Sequence, residues 1–374
     1  MKSTKCLFDE SKHSPEGMVS VSQLQSFMSC PKKWEYGYIE NLTPRVERTY
    51  LTIGKLCHKG MEVALTAQWR GEKRPNTDKA YHEYCQMGLE AMCAEWSEYM
   101  EVTDFLDEEV PEQERVLQDA LSVFEQAYYE LEPWKYEVYS VCRGGKVRPA
   151  LELHFVVPCA GSKGLHGFID AILKDKETGL VWCVDYKFRK TLAPDDDEAF
   201  NIQNAVYTHA CDRMGINIVG TITWQHVNTP AAEPSLNKNG SVSRAKIKTT
   251  WPKFKAFCEA NGVDPSAYEE EMREKLADIE WCRITREYRN PVYVERIWQD
   301  VVIPAARAVK TARGKGIKRR FMYPWNCKMC QYQSLCQAEL RDYDAALVRT
   351  LEYTQRGRVN PDKAIVDTHS TPVV

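Results

Sequence analysis

Two aspartates and a lysine in the middle of the chain have the spacing of a hydrolytic metal site. Asp170 closes Gly167-Phe168-Ile169-Asp170, and Asp185 and Lys187 lie in Val184-Asp185-Tyr186-Lys187. Apolar runs over 165–173 and 180–188 flank Lys176-Glu177-Thr178-Gly179, a polar segment ending in glycine that suits a hairpin turn. With those four residues as the loop, Asp175 faces Leu180 and the same register sets Asp170 directly against Asp185. Directly opposed residues of an antiparallel pair share a face, with Cβ atoms roughly 4.5–5.5 Å apart. Two carboxylates that close repel unless a cation lies between them or one keeps its proton. Lys187, two residues past Asp185, falls on the same face. Oxygen ligands favour Mg2+ or Mn2+, and the ammonium can orient water or neutralise phosphate charge. A surface hairpin with an ordinary cross-strand ion pair explains the same residues, because D-x-K is a common string.

The elements around this hairpin read as a mixed α/β domain. Ile53, Leu56, Met61, Ala64 and Leu65 recur at helical spacing and predict an amphipathic helix running to about Trp69, with His58 and Glu62 on one face. Strand signals at 136–142, 150–157 and 216–227 join the hairpin in a mixed sheet of at least four strands, with Gly144-Gly145 as a turn. Glu152 falls either beside Asp170 or on an exposed strand. Pro194-Asp195-Asp196-Asp197-Glu198 opens a helix whose positions Gln203 and Tyr207 share a face. Helical patterns follow over 251–288 and 292–312, with a loop at 229–243 and a basic strand at 244–248. After Leu347 the periodicity is lost, which predicts a disordered tail.

Fourteen cysteines in a chain that opens without an export signal argue for thiols and against a disulfide framework. Most lie within apolar patterns. Cys327, Cys330 and Cys336 form a C-x2-C-x5-C cluster, a ligand spacing that supplies three sulfurs and needs a fourth ligand for a closed site. Cys30, at the break between a helix beginning near Ser22 and Pro31, is either that ligand or a core cysteine.

The ordered set S-x-L-x-S-F-x-x-C-P, G-x-x-x-H, G-F-I-D, D-Y-K, Q-x-x-x-Y and C-x2-C-x5-C, spanning Ser22 to Cys336, resembles the iron-sulfur branch of the RecB-like nucleases in the PD-(D/E)xK superfamily. That branch includes CRISPR-associated Cas-four nucleases, the exonuclease V group and the AddB nuclease domain. The resemblance implies a RecB-like, restriction-endonuclease-type core with a central mixed sheet flanked by helices, a helical insertion walling a DNA channel, and a clasp joining the N- and C-terminal parts. It implies a 4Fe-4S cluster on Cys30, Cys327, Cys330 and Cys336, although four thiolates suit structural Zn2+ equally by chemistry. It places His58, Asp170, Asp185 and the Tyr186 carbonyl on the catalytic Mg2+ or Mn2+, with Asp170, Asp185, Lys187, Gln203 and Tyr207 as the catalytic set. The implied activity is a DNA exonuclease on single strands or ends, in recombination, repair or DNA processing. An adaptation or phage recombination factor working mainly through a recombinase or integrase-like partner is the alternative. The family also makes a phage or bacterial origin, and hence the bacterial cytoplasm, the expected setting.

Net charge is −3, from 50 basic and 53 acidic residues, so DNA contact must come from local patches. The candidates are Arg189 and Lys190 after the hairpin, and Arg313, Lys315, Lys318, Arg319 and Arg320 before the cysteines. No apolar run reaches membrane-spanning length. The chain is expected to divide into an N-terminal helical segment with the first cluster cysteine (1–50), a helical region with the histidine motif (51–135) and a core sheet with the Q-x-x-x-Y helix (136–230). C-terminal helices with the basic patch (231–320), the cysteine cluster (321–345) and a tail (346–374) complete it.

Overall fold

The computed structural model describes residues 17–71, 78–102, 107–143, 145–160, 162–195, 201–313, 315 and 319–355. Strand β1 (Val19–Ser20) runs into helix α1 (Val21–Ser29), capped by the Ser20 hydroxyl, which accepts from the Gln23 N–H at 3.1 Å. Cys30 is extended where α1 ends, and Pro31 opens the short helix α2 (Pro31–Trp34). After β2 (Leu42–Pro44) come three long helices, α3 (Thr49–Arg70), α4 (Asp78–Val102) and α5 (Val110–Glu130). A Cβ on Gly60 would meet the Phe124 ring at 2.6 Å and Met92 Sδ at 2.8 Å. Only glycine allows α3 to lie this close to its neighbours, and the contact fixes the helix two residues from His58.

The sheet follows in β3 (Tyr136–Val138), the hairpin β4 (Ser140–Arg143) and β5 (Lys146–Pro149), then β6 (Leu151–Val157), β7 (Leu165–Asp175) and β8 (Val181–Arg189). The strand expected at 136–142 is therefore two: β3 pairs with β7, whereas β4 and β5 pair only with each other. Helix α6 (Ile202–Arg213) is capped by Asn201, and the acidic opening expected at 196–198 lies outside the described residues. Strand β9 (Gly220–Val227) runs parallel to β8. Helices α7 (Trp251–Ala260) and α8 (Glu269–Leu276) precede β10 (Cys282–Tyr288), which pairs antiparallel with β9. The helix expected up to 288 thus ends early, because Ile284 and Thr285 are β-branched and fit a half-covered edge strand. Residues 244–248 form no strand; Arg244 pairs with Glu271, and Lys246 with Asp278 at 3.1 Å.

Helices α9 (Pro291–Ile297), α10 (Ile303–Ala312), α11 (Pro324–Lys328), α12 (Gln333–Leu340) and α13 (Ala345–Glu352) lead to β11 (Tyr353–Gln355). The tail expected to lose order after Leu347 is folded to Gln355, because β11 finds a partner in β2, some 300 residues upstream. The mixed sheet has seven strands in the order β1-β7-β8-β9-β10, with β3 and β6 also on β7. One face packs Leu173, Trp182, Val184 and Trp224 against Leu56, Met61, Leu65 and Phe124 of α3 and α5. The other packs Leu165, Ile169, Ile172 and Cys183 against Leu24, Val206, Ala210 and Ala306 of α1, α6 and α10. Among the described residues no helix is long and apolar enough to cross a membrane.

Protein contacts tie residues near 36–44 to residues near 332–355. Tyr36, Leu42, Tyr332, Leu335 and Tyr353 form a separate apolar cluster, and the Tyr332 hydroxyl donates to the Leu42 carbonyl at 2.8 Å. Glu339 accepts from the Tyr36 hydroxyl at 2.7 Å, from Arg349 at 2.7 Å, and from Arg320.

Candidate active site

The hairpin forms in the expected register, with Ala171 paired to Val184, Ile172 to Cys183, Leu173 to Trp182 and Lys174 to Val181. Its loop closes through Gly179, at φ +72°, whose N–H donates to the Asp175 carbonyl at 2.8 Å, while Asp175 Oδ1 accepts from the N–H groups of Glu177 and Thr178. The ladder stops one pair short of Asp170 and Asp185. There Asp170 Oδ2 takes the place of a strand partner and accepts from the Tyr186 N–H at 2.8 Å. Leu151 and Ala171 belong to the first core, but Leu153 and Ile169, two residues along each strand, belong to the second. The side-chain alternation slips at Glu152, whose φ of +42° is left-handed and costs a non-glycine residue about 1–3 kcal/mol. That slip turns Glu152 and Asp170 toward α3.

On α3, His58 Nδ1 lies 3.7 Å from Asp170 Oδ2 and 4.0 Å from Glu152 Oε1. One ligand atom from each of these three residues falls within 4.8 Å of the others. Next to them Asp185 is nearly fully buried, and its Oδ1 accepts from Lys187 Nζ at 2.8 Å and from Gln203 Nε2 at 2.9 Å. Asp185 Oδ2 lies 2.7 Å from the same ammonium but at an angle that makes no hydrogen bond, leaving a buried carboxylate oxygen without a donor. The Gln203 amide is held in one orientation: its oxygen accepts from Lys187 at 3.2 Å, and its nitrogen also donates to the Tyr207 hydroxyl at 2.6 Å.

Electrostatics agree with a site short of positive charge. Burial first, then the charges of Asp170 and Glu62, push the Glu152 carboxyl up to about 8. Burial also pushes Asp185 up to about 6, against the opposing pull of Lys187 and with a further push from Asp170. Burial would lower Lys187, but the Asp185 and Asp170 carboxylates outweigh it and hold the ammonium above its ordinary range. Carboxylates that resist ionising, together with an imidazole, fit a hard divalent cation such as Mg2+ or Mn2+.

A stability test follows from Glu152. Its carboxyl holds a proton more tightly folded than unfolded, so its contribution is intact below about pH 4.5 and is lost as pH rises toward 8. Metal-free protein should therefore lose melting temperature between pH 5 and 8 relative to Glu152→Gln, and Mn2+ should restore the wild type but not the variant. Parallel melting curves for the two proteins across that range would refute the assignment.

His58, Glu152, Asp170, Tyr186 and Lys187 line a cavity of about 1140 Å3 together with Lys55, Lys59, Arg189 and Lys190. The other basic candidates sit elsewhere. Arg313 donates to the Met18 carbonyl at 2.8 Å and to Gln23 at 3.0 Å, Arg320 to Glu339, and Arg319 lies over the Phe321 ring. Lys315 is exposed, and Lys318 lies outside the described residues. The sequence carried no preference for Glu152 over an exposed carboxylate, and Lys55 and Lys59 were not singled out. Their signal is their place on α3, Lys55 one turn before His58 on its face and Lys59 next to it in the chain. Cys30, Cys327, Cys330 and Cys336 line a second cavity of about 100 Å3, away from the first. Arg48, just before α3, links the two regions by donating to the carbonyls of Met329 and Cys330 at 3.1 and 3.0 Å, and Met329 lines the larger cavity.

No curated protein aligns significantly with the chain. A family model described as the PD-(D/E)XK nuclease superfamily matches residues 18–337, from the cap of α1 through the last cysteine. The match runs across the sheet, the kinked strand with its carboxylates and the lysine beside them, and the chain belongs to the PD-(D/E)XK nuclease superfamily.

Proposed function

We propose that the protein is a Mg2+- or Mn2+-dependent deoxyribonuclease, an exonuclease on single-stranded DNA or DNA ends that serves recombination, repair or DNA processing. The observation that carries this reading is the convergence of His58, Glu152 and Asp170 beside the buried Lys187–Asp185 pair in a cavity whose lining mixes Lys55, Lys59, Arg189 and Lys190 with Glu62, Glu95 and Asp119. Bound there, the cation supplies Lewis acidity to a phosphoryl oxygen and lowers the pKa of water. His58, Glu152 and Asp170 would hold it, with Asp185 Oδ2 as a further oxygen ligand. Lys187, held charged, donates to the attacking water or to the phosphate as negative charge builds. Gln203 keeps that ammonium aimed, and Tyr207 anchors Gln203. Lys190, joined by Lys55, Lys59 and Arg189 as they exchange Glu47, Glu62 and Gln225 for the substrate, would neutralise the flanking phosphates.

The four cysteines are assigned to a 4Fe-4S cluster. All four line one cavity, and among the described residues no three of their sulfurs come within 4.8 Å of one another. Four thiolates suit a polynuclear cluster as well as a single Zn2+, and the order of the motifs along the chain favours the cluster.

End-labelled linear and circular DNA, single- and double-stranded, tests the activity. With Mn2+, linear single strands should be degraded from an end, circles should survive, and EDTA should stop the reaction. Equal cutting of circles would make the enzyme an endonuclease, and no cutting with either metal would sink the proposal.

A further inference from the structure

We propose that Phe168 is a stacking platform for the nucleobase beside the phosphate under attack, and that through it the site selects unpaired DNA. The idea rests on the nuclease reading for the position of the phosphate, but the platform itself needs no hydrolysis. Between Leu165 and Leu173, Phe168 is the exposed residue of β7, at 41 % accessibility, with Gly167 and Ile169 buried on either side. A large aromatic at the open position of a strand packed on both faces has no core to fill. It lies on the face of Asp170, two residues before it, which sets ring and carboxylate roughly 7 Å apart along the strand. Both line the large cavity.

The ring is braced from behind. His154, its cross-strand partner on β6, lies with its ring centroid 4.8 Å away and its plane tilted by 33°. His166 backs His154 in turn at 5.7 Å, and the His154 carbonyl accepts from Arg143 of the β4–β5 hairpin. One side of Phe168 is therefore held and the rest faces the cavity. Bases paired in a duplex already spend both π-faces on their neighbours, whereas an unpaired base can stack on a protein ring without regard to sequence. Lys190 on the same cavity lining suits a phosphate of that strand, and Lys55 and Lys59 lie on it in ion pairs with Glu47 and Glu62.

The test uses the full chain and single-stranded oligonucleotides carrying 2-aminopurine at successive positions, bound in Ca2+ to keep the DNA uncut. One position should be quenched several-fold by wild type and by Phe168→Trp, and not by Phe168→Ala. With Mn2+, Phe168→Ala should raise KM for single strands roughly 5- to 100-fold while kcat changes by less than about threefold. Quenching or KM unchanged in Phe168→Ala overturns the platform, as does loss of the Mn2+-induced thermal shift in that variant, which would make the ring a prop for the metal site. Quenching that depends on Phe168 in a protein that never cuts DNA would leave the platform standing and remove the nuclease. Cutting without any Phe168-dependent position does the reverse.

Discussion

Replacing Asp170 by asparagine is expected to lower Mn2+-dependent DNA hydrolysis by roughly 10^3-fold or more, with melting temperature unchanged or slightly raised. The amide oxygen can still accept from the Tyr186 N–H, so the end of the ladder keeps its hydrogen bond. What is lost is the negative charge between Glu152 and Asp185, and relieving that repulsion favours the metal-free fold. Calorimetric Mn2+ titration should show affinity falling together with activity. Lys187→Met should lose activity as well, but for a different reason and with a different signature. It strands the Asp185 carboxylate, buried and without its cation, at a cost of about 3–5 kcal/mol unless the acid takes up a proton. The asparagine variant should thus be inactive and stable, the methionine variant inactive and destabilised above the Asp185 pKa of about 6. Full activity in Asp170→Asn, or undiminished Mn2+ affinity, would remove the metal assignment.

What could be read before the fold was known follows a physical line. The hairpin register was legible because a four-residue turn and two apolar runs leave one pairing that buries both. The His58 face of α3 was legible from its 3.6-residue period. The slip at Glu152 was not, since a glutamate in left-handed conformation breaks the alternation on which strand reading depends. It brings Glu152 to His58 and Asp170, next to Asp185, which is bonded to Lys187 and Gln203. Nor could the pattern show that Arg313 and Arg320 are spent on Gln23 and Glu339, because charge runs reveal sign and density but not partners. Strand β11 was missed for a similar reason: three residues become a strand only when β2 is there to pair with them.

With the proposed cluster on the four cysteines, the wild type would carry iron, sulfide and a broad visible absorption, and Cys336→Ser is expected to lack all three and to melt roughly 10 °C lower. The proposed ligands would join Cys30 to a segment some 300 residues away, so a cluster there would close a long loop whose entropy the folded state must otherwise overcome. The loss should stop short of unfolding, because the β2–β11 pair, the Tyr332–Leu42 bond and the Glu339 ion network still hold the ends together. Nor should the damage stay local. Arg48 grips the carbonyls of Met329 and Cys330 from the start of α3, and Met329 forms part of the large cavity, so a loosened cysteine loop relaxes the lining of the proposed DNA site. Activity should fall mainly through KM, with Mn2+ affinity nearly intact, the opposite of Asp170→Asn, which should keep its colour. A wild-type protein carrying one zinc per chain and no sulfide would overturn the cluster while leaving the same loop, the same rim and the same order of effects to a simpler ion.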